Sequence, residues 1–327
     1  MHPTQTVKAY LALATGILAL VAAPFFVRFS QAPGPVTLLY RMVLATLIML
    51  PFFLASERRL RHPLESRAGP RDTIAEQPSL RKDRPPARSY FTGWRISDVI
   101  FPLAAGAFLA AEQILWATGL SMTLVANAAL LTNISPLWVA LGAWFFFREK
   151  PNAIFWIGLA LALGGVAGVI GGGLLLHSKL GSGDILCLFA SFFYAGYYLV
   201  TQRGRQIMAN LRYIWLVTLS AGVVLFIYTI AARMPLWGFP WQTYLIFLGL
   251  ALVTQITGYL TIGYAMGHLP AAVGSPTLII QVVLTTVLAV PVFGEGLTPD
   301  QWLSGLVVLA GIVLVNRSRS VPGSAAA

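Results

Sequence analysis

Two charged residues lie deep inside long apolar stretches of the sequence, and they are the first candidates for chemistry. Arg41 lies within the run 35–55 and Glu112 within the run 97–117. If both runs cross a membrane, each charge needs a partner or a water-filled cavity, because a charge at bilayer depth costs several kcal/mol. Counted from the same membrane face, both residues lie about 8–9 Å deep. We therefore expect the two side chains to approach each other or to share one cavity.

Glu112 has two interpretations at this stage. In a functional role its carboxylate binds an amine of a substrate or takes up a proton. In a structural role it forms a fixed pair with Arg41. Arg41 could also extend to the outer membrane interface by itself, since long basic side chains often do so.

Uncharged polar residues in apolar runs form the second group of candidates. Asn127 and Asn133 are six residues apart, which places them about 120° apart around a helix, so the two need not face one cavity. Pro136 removes a backbone hydrogen bond and predicts a kink near the middle of the same helix. The later candidates are Gln255, Tyr259 and Gln281. Such groups more often tie membrane helices together than bind a ligand.

Aromatic residues form the third group. Trp116, Tyr194 and Tyr197, with Trp138 and Tyr198 beside them, could form a cavity wall that accepts apolar or aromatic solutes. Packing within the core or against lipid is the alternative for each of them.

The elements that must position these residues are apolar runs. Of the 327 residues 57% are hydrophobic and only 10% are charged, which indicates an integral membrane protein. Runs of about twenty such residues predict spanning helices, because lipid offers the backbone no hydrogen-bond partners. We predict an all-α protein with ten transmembrane helices at 9–29, 35–55, 97–117, 123–147, 153–175, 184–201, 213–232, 242–264, 271–293 and 299–316.

The distribution of basic residues predicts the orientation. Ten spans place 18 Lys and Arg residues on the side of both termini, and ten of these lie in the segment 57–95. The other side receives Arg28, Lys179 and Arg233. Excess basic residues mark the cytoplasmic side, so both termini are predicted to be cytoplasmic, in the plasma or inner membrane of a cell. The segment 57–95 is typical of a solvated cytoplasmic linker, or of a segment that contacts lipid. No aromatic-rich basic patch indicates nucleic acid.

The two halves of the sequence resemble each other. Glu149 and Glu295 are separated by 146 residues, as are Trp156 and Trp302, and Gly165 and Gly311. Five helices per half make the second half enter from the opposite face, which predicts inverted repeats with a substrate site at their interface. We assign the first repeat to 1–176, the second to 177–317, and a flexible cytoplasmic tail to 318–327. Glu149 and Glu295 are interpreted as turn and capping residues.

Two longer segments carry a resemblance to a known family. They are AEQILWATGLSMTLVANAALLTNISPLWVALGAWFFFREK at 111–150 and TQITGYLTIGYAMGHLPAAVGSPTLIIQVVLTTVLAVPVFGEGLT at 254–298. They resemble the EamA-type transporters of the drug/metabolite transporter superfamily. The resemblance implies ten helices, cytoplasmic termini, and export or exchange of amino acids, related metabolites or drugs. One departure is that Val282 stands where the repeat would place the counterpart of Pro136, and the nearest proline is Pro276.

The predicted function is secondary transport of small organic metabolites by alternating access, with a small-molecule substrate and the lipid bilayer as partners. The sequence contains no phosphate-binding loop, zinc-protease motif or nucleophile elbow. We therefore expect no enzyme activity and no cofactor. A single cysteine, Cys187, excludes a cysteine-based zinc site, and we expect no metal. The alternative is a polytopic receptor, scaffold or intramembrane enzyme.

The ridge Gly164, Gly168 and Gly172 permits close helix contact, within one chain or in a homodimer.

Overall fold

The computed structural model describes residues 3–65, 96–123, 128, 131–148, 151–170, 181–293 and 298–318, and within these ranges it contains helices and no strand. The helices before residue 180 are α1 Pro3–Val21, α2 Ala23–Phe29, α3 Gly34–Glu65, α4 Ile96–Leu120, α5 Ser135–Phe147 and α6 Ala153–Ile170. Those after it are α7 Ser182–Ile207, α8 Asn210–Ala231, α9 Trp241–Gly249, α10 Leu260–Met266, α11 Ala271–Thr277, α12 Ile280–Phe293 and α13 Pro299–Arg317. A π-helical segment, Leu250–Tyr259, joins α9 to α10.

Eight helical stretches in the described ranges are long and apolar enough to cross a membrane. They are Gln5–Val27, Gly34–Arg58, Val99–Leu120, Ser182–Ile207, Asn210–Ala231, Trp241–Met266, Ala271–Val292 and Pro299–Arg317. Two shorter apolar helices, Ser135–Phe147 and Ala153–Val169, lie where the fourth and fifth spans were predicted. Each predicted span therefore overlaps an apolar helix, and the chain is a multi-pass membrane protein.

Several predicted spans are not single straight helices. The first is divided at Ala22, two residues before Pro24. The fourth has a turn at Asn133 and Ile134, and α5 begins just after it, with Pro136 in its first turn. The ring of a proline and its missing N–H explain both interruptions.

The ninth span has a turn at Leu278 and Ile279. Here the N–H of Gln281 donates to the carbonyl of Leu278 at 3.0 Å, one residue short of the bond that an α-helix would make. By the 146-residue separation of the repeats, Asn133 corresponds to Ile279. The two halves are therefore interrupted at corresponding residues, although Val282, and not a proline, corresponds to Pro136.

Glycines set the closest helix contacts. A Cβ built on Gly311 of α13 would lie 2.6 Å from the carbonyl oxygen of Gly158 on α6, and one built on Gly165 would lie 2.9 Å from that of Ser304. These two helices therefore pack backbone against backbone. Gly164, by contrast, has no atom within 4 Å of an added Cβ. Within this chain the predicted ridge therefore contacts α13 at Gly168, which lies against Ser304, and not at Gly164. Gly172 lies outside the described residues.

The main core lies where α1, α3, α4, α7, α8 and the π segment meet. Its largest fully buried side chains include Tyr197, Tyr198 and Tyr213. Helix α4 packs along α7, α8 packs along both α3 and α4, and α1 packs along the π segment and α10. A core this rich in tyrosine brings several hydroxyl groups into the interior of the helix bundle.

Candidate substrate site

Arg41 and Glu112 lie in one buried cluster, as their depths predicted. Arg41 on α3 is 5% exposed and Glu112 on α4 is 8% exposed. The guanidinium acts electrostatically on the carboxylate, yet the ion pairs within 4.0 Å among the described residues do not include this pair. The structure therefore brings the two charges near each other without joining them directly.

Arg41 instead faces an aromatic ring. Its Cζ atom lies 5.7 Å from the ring centroid of Tyr259, a distance at which a cation is attracted to the ring face. Its Nε atom has no hydrogen-bond partner among the described residues. A buried guanidinium with a free donor is available to an anionic or carbonyl group of a solute.

Three tyrosines of α7 complete the wall of the cluster. The ring centroids of Tyr194 and Tyr198 are 4.6 Å apart, those of Tyr197 and Tyr198 are 5.2 Å apart, and that of Tyr197 is 5.9 Å from that of Tyr259. Glu112 is within electrostatic reach of Tyr194, Tyr198 and Tyr259. Tyr197 and Tyr198 follow Tyr194 by three and four positions on α7, which explains why both lie on the same side of the helix as Tyr194.

The π segment presents Gln255 and Tyr259 to the interior. Gln255 is fully buried, and its Nε2 donates to Thr218 Oγ1 of α8 at 3.0 Å, while its Oε1 has no partner among the described residues. A π-helical turn is rare and is often found at functional sites. Gln281 is different, since its Nε2 donates to the carbonyl of Leu20 at 3.3 Å and so ties α12 to α1.

Gln113 is a buried polar residue beside the site that the sequence reasoning did not name. It follows Glu112 on α4, is 3% exposed, and neither Nε2 nor Oε1 has a hydrogen-bond partner among the described residues. The available signal was its position beside Glu112, the acidic residue that lies deepest inside a predicted span. An amide with all its polar atoms unpaired is costly unless something else binds it.

The remaining candidates lie on α4, before or on α5, or outside the described residues. Trp116 is half-buried on α4, one turn after Glu112, and Asn133 lies in the turn before α5. Pro136 lies in the first turn of α5, whose Trp138 donates from Nε1 to Ser191 Oγ of α7 at 3.0 Å. Outside the described residues lie Asn127, Glu149 and Glu295.

The arrangement combines one guanidinium, one carboxylate, an amide and several phenols in the buried interior of the bundle. Such a set can bind the polar ends of a small organic solute and pack against its apolar part. Within the described residues no three His, Cys, Asp or Glu side chains lie close enough together to hold a metal ion.

The sequence also matches a known protein family. The sequence profile of the EamA-like transporter family matches residues 78–171 and 181–317. The chain belongs to the EamA-like transporter family. The two matched segments show a two-repeat architecture, and the family consists of membrane transporters.

The likeness extends to solved structures. One, titled "Crystal structure of protein", superimposes with a TM-score of 0.70 at 12% sequence identity, covering 94% of this chain and 96% of the other. At this identity the likeness shows the fold alone. No curated protein matches the sequence.

The cluster of this EamA-like protein draws on both matched segments. Glu112 and Gln113 lie in the first, Tyr194 and Tyr259 in the second, and Arg41 precedes both. Residues of both matched segments therefore lie near the buried charges.

Proposed function

We propose that this EamA-like protein is a secondary transporter that carries small organic metabolites across the cell membrane by alternating access. Its substrate site is the cluster around Arg41 and Glu112. The observation that supports this most strongly is a pair of buried opposite charges, near each other but not joined, enclosed by residues of both repeats. Alternating access needs such a site between two parts that can move against each other.

The helix contacts support an inverted repeat. By the 146-residue separation, Gly158 corresponds to Ser304 and Gly165 to Gly311. A two-fold axis that exchanges the repeats turns the contact of Gly158 with Gly311 into one of Ser304 with Gly165, and both contacts are present. In these contacts residue numbers rise on α6 while they fall on α13, so the two corresponding helices are antiparallel. An axis in the membrane plane has this effect.

The packing of other helix pairs also fits a two-fold axis that exchanges the two repeats. Helix α4, third in its repeat, packs along α7, which is first in the other. In return α1, first in its repeat, packs along the π segment and α10, which belong to the third span of the other. Ten spans in two inverted groups of five account for these pairs.

A contact between the ends of the fold supports the predicted topology. Tyr10 near the start of α1 donates to Asn316 Oδ1 near the end of α13 at 3.2 Å. An even number of crossings places both on one face. With the excess of basic residues on that face, we assign it to the cytoplasm.

The chemistry of the cluster favours amino acids or related solutes. Arg41 is suited to a carboxylate and Glu112 to an amine. The tyrosines Tyr194, Tyr198 and Tyr259 are suited to an apolar or aromatic remainder. This agrees with the metabolite export that the family resemblance implies.

The test is solute flux in liposomes that contain the purified protein and a mixed pool of labelled amino acids and related metabolites. We expect the wild-type protein to move part of the pool. Glu112→Gln and Arg41→Gln should each lower that flux about tenfold or more, because a lost charge-assisted contact is worth roughly 1.5–3 kcal/mol.

Arg203→Gln is the matched control, since Arg203 is exposed on α7 and its side chain donates to Gln206 at the surface. Its flux should equal that of the wild type. If folded wild-type protein moves no solute of the pool, or if both buried-charge variants transport at the wild-type rate, the proposal is wrong.

A further inference from the structure

An ion pair joins the two repeats at one end of the helix bundle. The Nε atom of Arg212 on α8 lies 3.3 Å from Oε1 of Glu57 on α3, and the two side chains are only 9% and 16% exposed. Glu57 lies at the end of the span Gly34–Arg58, and Arg212 lies in the first turn of α8. By the predicted topology two spans precede the first residue and six precede the second, so both lie on the face assigned above to the cytoplasm.

The position of Arg212 is unfavourable unless an acidic partner accompanies it. The dipole of a helix disfavours a cation in its first turn, and a buried cation also loses its hydration. The carboxylate of Glu57 offsets both effects. When one partner of such a pair is removed, the other charge stays buried without compensation. The contact between α3 and α8 at this end therefore depends on both residues.

Two further contacts join α3 to α8 on the inner side of the ion pair. The ring of Phe53 stacks on that of Trp215, with their centroids 4.2 Å apart and 9° between their planes. Trp215 also donates from Nε1 to the carbonyl of Thr46 at 3.1 Å. Met49 is buried in the same apolar cluster as Trp215. These contacts and the ion pair are here called the cytoplasmic seam.

The cytoplasmic seam ends where the candidate site begins. Arg41 of the site precedes Thr46 by five residues on α3, which is about 7.5 Å. On α8, Thr218 follows Trp215 by one turn and accepts from Nε2 of Gln255 at 3.0 Å. Both helices therefore contact the site at one level and each other at the levels below it. The seam lies between the site and the cytoplasm.

A different contact joins α3 to the second repeat at its outer end. The hydroxyl of Tyr40 donates to the carbonyl of Leu236 at 2.6 Å, and its ring stacks on that of Phe247 with centroids 4.5 Å apart. Alternating access needs one end of the bundle to open while the other stays closed. The two ends of α3 are held by separate groups, so one end can part while the other remains joined.

We propose that Glu57 and Arg212 form the latch of a cytoplasmic gate, and that the cytoplasmic seam parts when solute passes between the candidate site and the cytoplasm. This inference rests on the proposed transport function. Opening separates the two charges, hydrates each of them and unstacks Phe53 from Trp215, while Tyr40 holds the outer end. Closing removes water from both charges and restores their attraction.

The first measurement is the reactivity of a cysteine within the seam. In a Cys187→Ala background, Met49→Cys places a thiol about 12 Å inward of Glu57, where the native side chain is 2% exposed. A membrane-impermeant maleimide should label it slowly in inside-out vesicles. Added Glu57→Gln or Arg212→Gln should speed labelling about tenfold or more, because each removes a charge-assisted contact of the closed state.

Two further variants separate the ion pair from general packing. Exchange of the charges, by Glu57→Arg together with Arg212→Glu, should restore slow labelling. Arg58→Gln is the matched control, since Arg58 is exposed beside Glu57 and its loss removes a charge at the same level. It should leave the labelling rate unchanged. Equal labelling rates in the wild-type background, Glu57→Gln and Arg212→Gln overturn the latch.

The second measurement is solute flux with the seam held shut. Glu57→Cys and Arg212→Cys, in the Cys187→Ala background, are joined by a short bifunctional thiol reagent that can be cleaved by reduction. Joining should stop flux in liposomes, and reduction should restore it. Proteins that carry only one of these cysteines should keep their flux after the same treatment. A joined protein that transports at the rate of the unjoined one overturns the gate and leaves the transport function intact. A wild-type protein that moves no solute overturns the proposed function itself.

Discussion

Several buried polar atoms of the candidate site have no partner among the described residues. They are Nε of Arg41, the hydroxyl of Tyr197, both side-chain polar atoms of Gln113, and Oε1 of Gln255. Each such atom costs roughly 1–3 kcal/mol when it is left unpaired. Nearly all buried polar groups in folded proteins are paired, and the exceptions concentrate at functional sites. A solute that binds these atoms would recover much of that free energy.

A substitution at Gln113 tests whether an unpaired polar group lowers stability while it contributes to solute binding. Gln113→Leu keeps a similar volume and removes two unpaired polar atoms, so we expect the free energy of unfolding to rise by about 1 kcal/mol. The same change should raise the KM for solute, because the amide no longer binds it. Thermal unfolding of the purified protein and liposome flux measure the two effects.

Gln206→Leu on the exposed face of α7 is the control for Gln113→Leu. Surface changes of this kind stay within about 0.5 kcal/mol, and transport should be unaffected. A Gln113→Leu protein that is less stable and transports normally would assign Gln113 to packing instead of binding.

At the scale of the helix, glycine packing joins the two repeats through α6 and α13. A Cβ on Gly311 would lie 2.5 Å from the backbone nitrogen of Ala162 and 2.6 Å from the carbonyl oxygen of Gly158. Both are backbone atoms, so the only relief is to separate the helices. Gly311→Val should therefore lower the free energy of unfolding by about 1–3 kcal/mol or more. Thermal unfolding in detergent, together with the yield of monodisperse protein, measures this effect.

Gly164→Ala provides the comparison on the same helix pair. An added Cβ there meets no atom within 4 Å, and alanine is favoured over glycine in a helix by roughly 0.5–1 kcal/mol. Its stability should stay level or rise. Equal losses in Gly311→Val and Gly164→Ala would mean that α6 and α13 do not pack as described.

The sequence located the helices better than it located their interruptions. Spans are set by bilayer thickness and by the need to satisfy the backbone, and both leave a plain pattern of apolar length. The corresponding turns at Asn133 and Ile279 were not predicted as a pair, because Pro136 follows the first while Pro276 precedes the second. The π segment has no local signal at all, since no proline lies within Leu250–Tyr259.

For the candidate site, the sequence likewise predicted some features and not others. The approach of Arg41 and Glu112 followed from depth alone, because two charges in apolar helices cannot both face lipid. Which polar neighbours face them depends on helix rotation, and a helix that is apolar on every side gives no periodicity to fix it. That is why Gln113 was missed, and why Gln281 was grouped with a cluster although it binds α1.

At the scale of the whole molecule, the proposed topology makes a prediction for every connection between helices. In a Cys187→Ala background, cysteines introduced at Ser121 and Asp300 should react from outside the cell with a charged, membrane-impermeant maleimide. Cysteines at Arg58 and Gln206 should react only after the membrane is opened. All four positions are exposed, and Cys187 is fully buried, so its replacement removes the background without removing a surface group.

These four positions test the count of crossings as well as the orientation. Ser121 follows the third predicted span and Asp300 begins the tenth, so the six spans between them must bring the chain back to the same face. Arg58 and Gln206 end the second and sixth spans, which should place them together on the opposite face. An extra or missing crossing between Ser121 and Asp300 would put those two on opposite faces and end the inverted-repeat proposal. Labelling of Arg58 and Gln206 from outside, with Ser121 and Asp300 protected, would keep the repeat and reverse the orientation.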